Sequence, residues 1–122
     1  MYELTIETKF SAAHQLRGYK GRCEKLHGHN WKVKVSVVSD VLNDIGLVMD
    51  FKDLKDATNE FLTQLEHSFV NDVFPFTEIN PSSENIAKWI YDGLSKKLNT
   101  DYLSVSMVTV YESDNACASY FE

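Results

Sequence analysis

Polar and apolar residues alternate along positions 2–14. Tyr2, Leu4, Ile6, Phe10 and Ala12 fall on one parity, Glu3, Thr5, Glu7 and Lys9 on the other, and His14 continues the apolar set. The same period returns over 27–37, where His27, His29, Trp31, Val33, Val35 and Val37 alternate with Asn30, Lys32, Lys34 and Ser36. Successive side chains of a strand point to opposite faces, so both segments read as half-buried strands with their histidines aimed at the covered side. Paired as an antiparallel hairpin across the connection 15–26, they bring the three histidines together. From 50 to about 66 the spacing turns helical, with Phe51, Leu54, Ala57, Phe61, Leu62 and Leu65 on one stripe. A second helix is expected after Asn80-Pro81, capped by Ser82 or Ser83 and running through Ile86, Trp89, Ile90, Leu94 and Leu98. Between the helices, 68–80 reads as a long loop. Strands return over 103–112 and 116–121, around a Ser113-Asp114-Asn115 turn. The order ββααββ predicts an α+β fold: a four-stranded antiparallel sheet with two helices on one face, spanning 1–122 as a single domain.

Composition narrows the class. At 122 residues, 43% hydrophobic and 25% charged, the chain suits one soluble domain with a sizeable core. Glu3, Glu7 and Lys9 interrupt any signal-like apolar run, and no stretch approaches bilayer length, so a cytoplasmic protein with no membrane partner is expected. A net charge of −6 argues against a nucleic-acid partner. Arg17, Lys20, Arg22 and Lys25 nonetheless cluster in a glycine-containing segment, which reads as a solvated loop or as a local anion site. Cys23 and Cys117 form no CxxC, so no disulfide framework or cysteine-rich zinc knuckle is indicated. Two tryptophans, six tyrosines and seven phenylalanines are more aromatic surface than so small a core needs, which suggests subunit contacts.

The candidate chemistry sits in the first quarter. His27 and His29 are a chelating pair, and with His14 they make three neutral imidazoles, a set that suits zinc and leaves a position open for water or substrate. Gly28 between them lets a ligand or backbone approach. Cys23 has three readings: a fourth ligand closing a structural site, a thiolate base or nucleophile, or a small packed side chain. Glu66-His67 reads as a surface histidine at a helix end or as a carboxylate–imidazole pair that passes a proton. Glu112 reads as a strand-end surface acid or as an acceptor for the guanidine-like edge of a heterocycle.

Several segments together carry a resemblance: Phe10-Ser11-Ala12-Ala13-His14, Cys23-Glu24-Lys25-Leu26-His27-Gly28-His29-Asn30, Gly46-Leu47-Val48-Met49-Asp50-Phe51, Leu65-Glu66-His67, Asn80-Pro81-Ser82-Ser83-Glu84-Asn85 and Glu112. In this order and spacing the chain resembles the 6-pyruvoyl-tetrahydropterin synthase family, most closely its bacterial 6-carboxy-5,6,7,8-tetrahydropterin synthase branch. The resemblance implies the tunnelling fold (T-fold), assembled as trimers that stack into a homohexamer with active sites between subunits. It implies Zn2+ on His14, His27 and His29, Cys23 as catalytic thiol, and Glu66 and His67 at the family's Asp-His positions. Glu112 matches the acid that anchors the pterin, and Ser82, Ser83 and Glu84 match the segment lining its pocket. The implied reaction is a zinc-dependent carbon-carbon lyase step in queuosine (7-deazaguanine) biosynthesis. It turns 7,8-dihydroneopterin triphosphate into 6-carboxy-5,6,7,8-tetrahydropterin, acetaldehyde and triphosphate.

Two departures stand out. Glu66 is one methylene longer than the family's Asp. Glu24 matches a family variant in which a glutamate replaces the cysteine and the product is 6-hydroxymethyl-7,8-dihydropterin. Since this chain carries both groups, a dual or folate-type activity is an alternative, as is a non-catalytic zinc-stabilised pterin-binding module in which Cys23 closes the shell.

Overall fold

A computed structural model describes residues 1–20 and 25–122. Strands β1 (Tyr2–His14) and β2 (His27–Ser39) form one long antiparallel hairpin, in register from Tyr2 opposite Ser39 to His14 opposite His27. Helix α1 (Phe51–Leu62), the two-residue strand β3 (Ser68–Phe69) and helix α2 (Ser83–Leu98) follow, then β4 (Ser104–Ser113) and β5 (Ala116–Tyr120). The sheet order is β3-β1-β2-β4-β5. β4 lies antiparallel to β2, and β5 antiparallel to β4.

The predicted α+β architecture holds, with one correction. The sheet has five strands rather than four, and it is not wholly antiparallel, because β3 runs parallel to β1 through Ala12 opposite Ser68 and Ala13 opposite Phe69. Two residues are too few to show a period of two, so this strand is invisible as a pattern.

Helix α1 also stops earlier than its apolar stripe suggests. Asp50 caps its start by accepting from the Lys52 N–H at 2.8 Å. Its end comes at Leu62, and Leu65 is buried from a turn instead. The amides of residues 63–66 still bond back to carbonyls of 59–62, and the chain then passes to β1: the His67 N–H donates to the Ser11 carbonyl at 2.6 Å, with His67 at φ +54°. This left-handed residue redirects the backbone into β3. Helix α2 begins as expected, Ser82 accepting from the Asn85 N–H at 3.1 Å.

Both helices lie on one face of the sheet. Leu54 and Leu62 of α1 and Ile86, Ile90 and Leu94 of α2 share a buried cluster with Phe10, Trp31, Val33, Val35, Val108 and Val110. Phe51, counted in the apolar stripe, is exposed. Where the helices cross, a Cβ on Gly93 would collide with the Phe61 ring, so this position needs its missing side chain. The opposite face carries the polar parity of β1, and Glu3, Glu7 and Lys9 are exposed there.

Candidate metal centre

The parity that builds the core also builds the site, because the last residues on the covered face are the histidines. His14 and His27 are the final rung of the hairpin, and His29 sits one place inward, opposite Ala12. Glu112 follows Val108 and Val110 on the same parity of β4. Trp31 floors the group, its ring edge-on to His14 and His29 at centroid separations of 4.8 and 5.3 Å.

The ligand atoms of His14, His27, His29 and Glu112 all lie within 4.8 Å of one another. His14 Nε2 is 3.0 Å from His27 Nε2 and 3.1 Å from Glu112 Oε1. Glu112 Oε1 is also 3.4 Å from His27 Nε2 and 2.9 Å from His29 Nε2. The outer nitrogens are tied to backbone, His14 Nδ1 to the Pro81 carbonyl and His27 Nδ1 to the Lys25 carbonyl, each at 2.8 Å. A carbonyl can only accept, so these Nδ1 atoms carry the proton and, in the neutral rings, the Nε2 lone pairs face inward.

Two observations test whether these residues fit a metal ion. First, His29 Nε2 is buried and, among the described residues, makes no regular hydrogen bond, with the charged Glu112 Oε1 2.9 Å away. Second, the donor set of three imidazoles and one carboxylate is a common shell for a divalent cation with tetrahedral preference. Burial, opposed in part by the Glu112 charge, lowers the pKa of His29. Burial pushes Glu112 upward, but hydrogen bonding to His27 and the charges of His14 and His29 outweigh it, leaving its pKa lowered. Both shifts favour the protonation states that ligate a cation. The residues fit.

The other expected residues are distributed differently. Cys23 and Glu24, and Arg22 of the basic run, lie outside the described residues. Glu66 and His67 do not join the cluster. His67 is 81% exposed, with its Nε2 3.2 Å from Glu66 Oε1, which also accepts from the Ser11 N–H at 3.1 Å. His67, but not Glu66, borders an open cleft of about 400 Å³ also lined by Ser11, Ala13, Gly28, Asn30, His29 and Ser68. Gly28 is not forced by crowding, since a Cβ there would meet only the Ala12 carbonyl at 3.8 Å. Ser82 is engaged as the cap of α2, while Ser83 and Glu84 form its first turn, next in sequence to the Pro81 carbonyl that holds His14.

Arg17, part of the candidate anion site, is otherwise occupied. Its guanidinium donates to the carbonyls of Phe76, Ile79 and Asn71 at 2.6, 3.2 and 3.4 Å. Sequence reasoning assigned no holding role to Asn71 and Asn80, which bond the segment after His14, or to the Pro81 carbonyl, which bonds His14 itself. Isolated loop asparagines carry no periodicity, and only the Asn80-Pro81 pair gave a signal, as a helix start.

The chain is matched over residues 3–122 by the family model described as 6-pyruvoyl tetrahydropterin synthase. An Archaeoglobus fulgidus protein provisionally assigned as 6-carboxy-5,6,7,8-tetrahydropterin synthase is 40% identical over 93% of this chain and 90% of its own. A Synechocystis 6-carboxy-5,6,7,8-tetrahydropterin synthase is 35% identical over 99% and 94%. The solved 6-pyruvoyl tetrahydropterin synthase of Plasmodium vivax superposes with a TM-score of 0.80 at 28% identity, covering 99% of this chain and 97% of that one. That enzyme has also been solved with a catalytic glutamate replaced. A match of such extent, on a fold whose covered sheet face ends in three converging imidazoles, makes this chain a member of the 6-pyruvoyl tetrahydropterin synthase family.

Proposed function

We propose that the chain is a zinc-dependent 6-carboxy-5,6,7,8-tetrahydropterin synthase. It converts 7,8-dihydroneopterin triphosphate and water to 6-carboxy-5,6,7,8-tetrahydropterin, acetaldehyde and triphosphate, a step toward queuosine. The observation that carries this reading is the convergence of three Nε2 atoms and one carboxylate oxygen, with the buried His29 nitrogen making no regular hydrogen bond among the described residues. The names of the two relatives and the Cys23-to-His27 spacing favour the carboxy product.

His14, His27 and His29 would hold Zn2+, which supplies Lewis acidity toward the hydroxyls of the substrate side chain. Glu112, 37% exposed and in contact with the imidazoles through Oε1, would turn to the pterin and accept the paired N–H groups of its pyrimidine edge. Ser83 and Glu84, on the first turn of α2, would line that pocket. The Cys23 thiolate would take and return side-chain protons, with His67 as its exchange partner and Glu66 holding the ring. Triphosphate contacts fall to Arg22 and Lys25 rather than to Arg17.

The exposure of His67 supports a site completed by a neighbouring subunit. Among the described residues β3 pairs only with Ala12 and Ala13, so the rest of β1 is an open sheet edge there, as is the outer side of β5. Two such edges can join subunits by strand addition into trimers, and trimers can pair as a hexamer. Among the described residues no helix is long and apolar enough to cross a membrane.

Incubating the zinc-loaded protein with 7,8-dihydroneopterin triphosphate and weighing the products tests the reading. Acetaldehyde and 6-carboxy-tetrahydropterin are expected, and absence of turnover by a metal-replete oligomer would overturn it. A second reading is favoured by Glu24 together with the catalytic glutamate of the Plasmodium relative: 6-hydroxymethyl-7,8-dihydropterin as a further product. Glu24→Ala should remove that product selectively, leaving the carboxy product to Cys23.

A further inference from the structure

Beyond His14, where β1 ends, the backbone is held by side chains. Asn71 Oδ1 accepts from the Gln15 N–H at 2.9 Å while its Nδ2 donates to the Gln15 carbonyl at 2.7 Å. Two residues on, Asn80 repeats the arrangement with Arg17, Oδ1 accepting from N–H and Nδ2 donating to the carbonyl, both at 2.8 Å. Exchanging one donor and one acceptor with a single residue is what a strand partner does in an antiparallel ladder. Two side-chain amides therefore bond as a strand partner would, at alternate residues of the segment leaving the metal site.

Both amides belong to the segment that ends at Pro81. Asn71 is buried, Asn80 directly precedes Pro81, and the Asn80 carbonyl is itself held by Asn85 Nδ2 at 2.9 Å. Arg17 fastens the middle of the same segment through the Phe76 and Ile79 carbonyls. What this stitching fixes is the Pro81 carbonyl, 2.8 Å from Nδ1 of the fully enclosed His14.

We propose that Asn71 and Asn80 are positioning residues for the metal centre: by docking 70–81 against 15–17 they hold the Pro81 carbonyl where it keeps His14 as the Nδ1–H tautomer, with Nε2 turned to the ion. This rests on reading the cluster as a metal site. Outer partners that orient a ligating imidazole commonly change metal affinity by about 10–100-fold when removed. Asparagine is required because the role needs a donor and an acceptor on one short side chain. An aspartate matches the shape but only accepts, leaving a peptide carbonyl facing a carboxylate.

The test uses Asn80→Asp and Asn71→Asp in the full chain, with Thr58→Ala as a control destabilised inside α1, where the Thr58 hydroxyl donates to the Leu54 carbonyl and not to the clamp. In the metal-free parent, long-range proton–nitrogen correlations should show His14 as Nδ1–H. An Nε2–H ring there overturns the proposal before any variant is made. In Asn80→Asp the tautomers should mix, zinc affinity measured by chelator competition should fall by about 10–100-fold, and the cobalt(II) visible spectrum should shift. Thr58→Ala should keep parental affinity. Parental affinity and tautomer in both folded aspartate variants, whatever their melting temperatures, would reduce the asparagines to ordinary loop staples. If the parent binds no zinc, the metal reading fails on its own, while the tautomer result still decides the clamp.

Discussion

At the end of the β1–β2 hairpin, four side chains converge on one another from three strands of a single chain, floored by Trp31 and held from behind by two backbone carbonyls. Across β1, Glu66 and His67 contact each other and one backbone N–H, with the imidazole standing in solvent from a left-handed residue. Such a conformation costs of the order of 1–3 kcal/mol for a residue with a side chain. The first group could hold a metal ion with side chains of one chain alone. The second is an exposed pair whose proposed role needs a partner that these side chains do not supply for themselves.

The largest effect should come from the cluster. His29→Ala is expected to lose both turnover and metal retained through dialysis, because the buried nitrogen is the one no hydrogen bond replaces. Chelation of the parent should likewise stop turnover yet leave circular dichroism and oligomeric mass unchanged, since the core around Leu54, Ile90 and Val108 lies outside the ligand set. Unfolding on chelation would instead favour the structural-zinc module.

Next in size is His67→Ala, expected to lower kcat by about 10²–10⁴-fold with full metal content, as befits a proton-transfer group. Mixing this variant with His29→Ala, after dissociation and reassembly, sharpens the contrast. If the site is shared between subunits, roughly a quarter of the mixed sites regain both halves, and activity returns from two inactive parents. Persistent inactivity of a properly mixed oligomer would place both groups in the service of one chain.

Glu66→Gln should cost less than His67→Ala. The amide keeps the reach to His67 and to the Ser11 N–H but loses the charge that stabilises an imidazolium, so a fall in kcat with unchanged KM is the expected signature. Smallest is Ser82→Ala, expected to remove about 1 kcal/mol of stability through loss of the α2 cap. A rise in KM at unchanged melting temperature would show instead that this hydroxyl serves the pterin.

The parts of this fold that were legible in the sequence are those with a long period. Thirteen-residue strands expose their parity in every second residue, and the histidines inherited their placement from Phe10 and Trp31. Leu65 misled because burial alone does not distinguish the last turn of a helix from the turn after it. Glu112 was visible as an odd carboxylate in a β-branched strand. Its shared parity with Val108 and Val110 was enough to point it at the covered face, yet that it would meet the imidazoles depended on the order of strands. The asparagine clamp had no legible signature, since its meaning lies in two peptide groups fifty or more residues away.

The hairpin carries its own implication for the order in which the centre comes into being. His14 and His27 are 13 residues apart, whereas Glu112 is 98 residues beyond His14. During synthesis, all three imidazoles are therefore polymerised long before the acid that shares them. A nascent chain with the hairpin alone already possesses the nitrogen half of the centre, and the carboxylate joins it only when one of the last strands is laid against the second.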